Sequence, residues 1–91
     1  MTPDAARHIA HAAISHLAGD EKLILGLLQQ AGLSPDTLRI RIDDPELLAG
    51  VLDFVLGDET VARDFCTAEG LSAEDLLRAR HAFPGASSDY V

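Results

Sequence analysis

Ninety-one residues, 47% of them apolar, with no Trp and one Tyr, allow one modest core and hence one domain. A net charge of −8 repels a bare phosphate backbone, and the single Cys66 excludes an internal disulfide and a thiolate zinc cage. No apolar run approaches the roughly 20 residues of a membrane helix, and Met1-Thr2-Pro3-Asp4 lacks a signal peptide's basic start, so a cytoplasmic protein is expected.

Thr2-Pro3-Asp4 opens the first predicted helix, with a capping hydroxyl followed by a Pro that needs no amide partner. Its apolar stripe is Ala6, Ile9, Ala10, Ala13, Ile14 and Leu17, leaving His8, His11, Ala12 and His16 on a solvated side. Gly19 stops it and Asp20 caps the second helix, where Leu23, Ile24, Leu27, Leu28 and Ala31 face inward and Leu25 sits on the flank. Residues 35–42 are ambiguous. Leu38-Arg39-Ile40-Arg41-Ile42 alternates like a strand, but nothing else in the chain offers it a pairing edge, so a short helix is predicted.

Asp43-Asp44-Pro45-Glu46 starts the fourth helix, whose Leu47, Leu48, Val51, Leu52, Val55 and Leu56 form the widest apolar arc and predict the central element. Asp58 caps the fifth, with Val61, Ala62, Phe65 and Cys66 inward. Ser72 caps the sixth, which puts Leu76, Leu77, Arg80 by its stem and Phe83 on one side. Pro84-Gly85 is expected to end it, giving a domain over 1–84 and a flexible tail over 85–91.

One six-residue signal occurs twice, as Ala31-Gly32-Leu33-Ser34-Pro35-Asp36 and Glu69-Gly70-Leu71-Ser72-Ala73-Glu74. Gly32 and Gly70 suit a left-handed helix stop, Leu33 and Leu71 the apolar residue that folds back on it, and Ser34 and Ser72 the cap of the next helix. The triplets Gly19-Asp20-Glu21 and Gly57-Asp58-Glu59 recur at the same 38-residue offset, which superposes 9–41 on 47–79. A fixed period of this kind sets architecture. The predicted fold is all-α: a compact bundle of about six short helices, built as two tandem three-helix units. The copies differ in charge, with three acids and three bases in 9–41 against seven acids and two bases in 47–79.

Residues 17–41 and 45–80, most sharply Val51-Leu52-Asp53-Phe54-Val55-Leu56-Gly57-Asp58-Glu59, resemble a family of short bacterial proteins, frequent in alphaproteobacteria and classed as a domain of unknown function. The resemblance implies a small helical bundle in a bacterial cytosol and supplies no catalytic residue.

Each chemical signal has a plainer competitor. His8, His11 and His16 share one side of a helix, but a metal site needs three or four convergent ligands, and only Asp4 lies near them in sequence. Asp20-Glu21, Asp43-Asp44, Asp58-Glu59 and Glu74-Asp75 all fall at helix starts, where capping and the helix dipole account for them. The helix–Gly-Leu-Ser–helix pattern evokes a DNA-binding helix-turn-helix carrying Arg39 and Arg41. Against it stand a large Leu28 where the pattern wants a small residue, a single Arg78 near the same place in the second copy, and the acidic balance. Cys66 reads as a packed thiol, and no phosphate loop or nucleophile elbow is present.

The reading is therefore a non-catalytic protein-interaction or regulatory adaptor module without cofactor or metal, its partner unidentified and a homodimer open. A helix-turn-helix DNA binder and a homo-oligomeric structural protein are the alternatives. The expected partner surface is Leu25 and Ile40 with Arg39 and Arg41. In register, the second copy places Arg63 and Arg78 where the first has Leu25 and Ile40. Three outcomes follow: the units dock through this face and bury both residues, the face receives another protein, or the two residues are singly exposed without a role.

Overall fold

A computed structural model describes residues 1–83; the expected stop at Pro84-Gly85 and the tail 85–91 lie outside the described residues. Six helices run in order, α1 (Pro3–Ala18), α2 (Glu21–Ala31), α3 (Pro35–Ile40), α4 (Pro45–Leu56), α5 (Glu59–Glu69) and α6 (Ala73–His81), with no strand among the described residues. Residues 35–40 are helical, so the alternating segment resolves as α3 followed by a turn over 41–43. No helix of the described residues is long and apolar enough to cross a membrane.

The caps explain why helices begin where they do. Thr2, Asp20, Ser34, Asp44, Asp58 and Ser72 each accept a backbone N–H from the first turn of the helix that follows. Ser72 and Asp75 complete a reciprocal capping box. At Gly32 (φ 68°, ψ 34°) and Gly70 (φ 68°, ψ 31°) the chain turns left-handed. Leu33 then donates to the Leu28 carbonyl and Leu71 to the Cys66 carbonyl, both at 2.9 Å, satisfying carbonyls the helix leaves open.

The core is centred on α1 and α4, which lie against each other and carry six buried residues each. On α1 those are the six of the predicted stripe; Ala6, Ala10 and Ala13 end at Cβ and let α4 and α6 approach closely. Leu48, Val51, Leu52 and Val55 fill the α4 side, and Leu17, Leu27, Phe65 and Leu76 close the centre. Each such large side chain contributes about 1.5–3 kcal/mol by leaving water.

The repeated turns agree in local geometry. Asp20 and Asp58 agree in backbone angles (φ −129°, ψ 113° and φ −130°, ψ 111°), as do Ser34 and Ser72 (φ −91°, ψ 161° and φ −89°, ψ 163°). α1 packs on α2 as α4 packs on α5, and α1 touches α5 as α4 touches α2. The expected pair of equivalent three-helix units is not shown, and the third helices differ. α6 lies against α1, α4 and α5, whereas α3 forms no comparable contact and buries only Leu38. The cause is length: Ala79 and Arg80, buried on α6, correspond to Arg41 and Ile42, which fall beyond the end of α3 because Asp44-Pro45 is already starting α4.

Several side chains sit elsewhere than expected. Ala31 is exposed, Leu77 is 47% exposed rather than facing inward with Leu76, and Ala62 and Cys66 are only partly covered. Arg80 is anchored by its head as well as its stem: Nε donates to Asp53 Oδ1 at 2.6 Å, with the arginine side chain 11% exposed. No buried side-chain nitrogen or oxygen lacks a partner among the described residues.

Candidate functional site

Leu25 and Ile40 are not buried between the halves. Leu25 is 50% exposed on α2, and Ile40, at the last position of α3, is 84% exposed. Docking through this face is thereby ruled out, and a partner surface or single exposure without a role remains. Thirty-eight residues on in the sequence, Arg63 pairs with Glu59 at 3.0 Å and Arg78 with Glu74 at 2.6 Å, each one helical turn away. Leu25 and Ile40 are apolar where the offset positions are solvated arginines.

The two arginines expected beside them are engaged locally. Arg39 donates to Asp36 at 2.6 Å. Arg41 gives Asp44 Oδ2 two hydrogen bonds, from Nε at 3.0 Å and Nη2 at 2.8 Å, while the same carboxylate caps α4. The Arg41 bonds, reinforced by the Glu46 amide, hold the Asp44 carboxyl below the usual carboxylate range. Arg41 also lines a shallow cleft with Leu27, Leu33 and Leu47. Neither guanidinium is left without a carboxylate.

A second surface comes from smaller residues. Between α5 and α6 runs an open groove of ≈ 440 Å³, walled by Leu56, Ala62, Cys66, Leu71, Leu76 and Leu77, with Glu59, Arg63 and Thr67 also lining it. Its origin is legible against the first half. At the positions of Ala62 and Cys66, α2 carries Ile24 and Leu28, both packed in or against the core. Trimming these two side chains leaves space beside α6, whose Leu77 replaces Arg39 in register. The amphipathic pattern assigned Ala62 and Cys66 to the buried arc; comparing side-chain size across the 38-residue offset is the signal that finds the groove.

Cys66 does not make the groove a reactive site. Its Sγ lies 3.7 Å from the Ser72 carbonyl oxygen, placed to donate. Burial, and then the charge of Asp75, pushes the thiol pKa up, so it stays protonated at neutral pH. Asp75 is itself held low, by the Ser72 amide and then the Ser72 hydroxyl. The remaining acidic pairs are caps in the same sense, with Asp20 accepting from Lys22 and Leu23 and Asp58 from Thr60 and Val61.

The histidines do not share a solvated face. His8 is exposed. His11 Nε2 lies 3.0 Å from the Ile42 carbonyl oxygen and 3.1 Å from Asp43 Oδ1, tying α1 to the turn before α4. His16 sets its ring edge-on to Phe65, with centroids 5.5 Å apart. Among the described residues no three His, Cys, Asp or Glu side chains are grouped to hold a metal ion.

Residues 3–86 match the family described as Protein of unknown function (DUF3572). The chain belongs to this family. The family assigns no activity to the surfaces above, so their chemistry carries the functional argument. No curated protein and no solved structure matches the chain.

Proposed function

We propose that this member of the family is a small, acidic, non-catalytic protein-interaction module of the cytoplasm, acting as an adaptor or regulatory subunit. The observation that supports it is Ile40, 84% exposed at a position where the other half of the chain carries an ion-paired arginine. An exposed Ile whose sequence counterpart is polar adds nothing to the core, and a partner that covered it would give its exposure a role. Leu25, half exposed at the position of Arg63, adds to the same argument.

DNA recognition is the weaker reading, since Arg39 and Arg41 are each already bonded to a carboxylate and the net charge is −8. The experiment is affinity capture from the native cell, with wild type, Leu25→Arg and Ile40→Arg as baits and mass spectrometry as the readout. A partner retained by wild type and lost by either variant at unchanged melting temperature supports the module. Identical capture profiles for all three baits would remove this surface as the reason for it.

A further inference from the structure

The α5–α6 groove has a shape and setting that specify more than an unnamed protein. Its walls are mostly apolar, and its lining on α5 runs from Glu59 to Thr67, about 13 Å or two and a half turns of a helix. Such a length accepts side chains spaced i, i+3 or i+4, and i+7 along one face of a guest helix. The half of the chain that carries it is acidic, with seven acids and two bases in 47–79, while the two charged residues lining the groove, Glu59 and Arg63, pair with each other at 3.0 Å. Asp64 and Glu69, exposed on α5 outside the groove lining, enter no ion pair among the described residues, and Asp75 lies near enough to Cys66 for its charge to act on the thiol.

We infer that the α5–α6 groove receives an amphipathic helix of a partner protein, with apolar residues seated along Ala62, Cys66 and Leu77 and with Lys or Arg on the flanks. This rests on the protein-interaction reading and specifies a seat and a chemistry for it. Charge selects the occupant. A second copy of this chain would bring another −8 toward the acidic half, whereas a basic helix gains attraction that steers its approach. Full compensation is also built into the sequence, because Ile24 and Leu28 show the larger residues that the same positions hold without a groove.

The test uses the full chain and a fluorescein-labelled helical peptide of about three turns, with Leu at i, i+3, i+4 and i+7 and Lys elsewhere. A Leu/Glu peptide of the same pattern and a Leu/Lys peptide of shuffled order are the controls. In anisotropy titrations the patterned basic peptide should bind at least about tenfold tighter than either control. The double variant Ala62→Ile with Cys66→Leu fills the groove after the first half's own template and should lose that advantage. Leu77→Glu, on the exposed rim, should lose it too and covers the case in which the filled variant folds poorly.

Equal binding of patterned and shuffled peptides, or unchanged binding to the variants, would overturn the groove assignment. So would light scattering that shows a wild-type dimer dissociated by groove filling, since a second copy would then be the occupant. The same baits separate this from the broader reading. Native partners lost with Leu25→Arg but kept by the groove variants leave the module standing and remove the groove; capture by wild type of nothing specific removes the module itself.

Discussion

Replacing Gly70 by L-alanine isolates one term of the fold. The residue sits at φ 68° and ψ 31°, and an added Cβ would meet no atom within 4 Å, so crowding contributes nothing. What remains is the strain of a left-handed L-residue, about 1–2 kcal/mol, against about 0.4–1 kcal/mol recovered because alanine is less free than glycine when unfolded. The net loss lies between about 0 and 1.6 kcal/mol, and a domain of this size loses about 4–8 °C in Tm per kcal/mol. Valine, branched at Cβ, should lose about 2 kcal/mol or more.

D-Alanine, introduced by chemical synthesis, inverts the prediction. Its preferred backbone matches the turn, so only the unfolded-state term survives and stability should rise by about 0.4–1 kcal/mol. Gly32, at φ 68° and equally open, should reproduce both results. Urea titration and thermal melting followed by circular dichroism give the numbers. An L-alanine variant more stable than wild type, or a D-alanine variant no more stable than the L-form, would refute the left-handed stop.

Other outcomes follow from the same geometry. Arg80→Leu should cost about 1–3 kcal/mol in chemical denaturation, because the guanidinium bond to Asp53 is charge-assisted and the arginine is nearly buried. Ile40→Arg should change stability by less than about 0.5 kcal/mol, whereas Leu52→Ala, fully buried on α4, should lose about 2–5 kcal/mol by the same assay. Asp44 and Asp75 ionise more readily folded than unfolded, so the unfolded chain binds more protons in acid; stability is fully present above the ordinary carboxylate pKa near 3.8 and falls as pH drops below it. Melting temperatures between neutral pH and pH about 3 should show that loss, and Asp75→Asn should flatten it. Duplex DNA should bind no tighter than about 10⁻⁴ M at physiological salt; a tight complex dependent on Arg39 or Arg41 would promote the helix-turn-helix reading.

Local chemistry was sufficient to place the helices. Capping oxygens at 2, 20, 34, 44, 58 and 72, prolines at first helical positions and the two left-handed glycines act within a turn of their own residue, so sequence alone located every helix start. The apolar stripes of α1 and α4 were equally legible, because wide arcs have one way to be buried. Tertiary structure decided what depends on neighbours distant in the chain. Periodicity gives a direction and not a depth, so Leu77, Ala62 and Cys66 pointed toward the core side of their helices yet border a groove whose other wall is a different helix. The Arg80–Asp53 pair, the seating of His11 on the 42–43 turn and that of His16 on Phe65 join residues with no local relation. The third helices diverge for the same reason: Leu38 and Leu76 match in sequence, but α3 is cut short by the cap of α4, and only α6 is long enough to pack across the bundle.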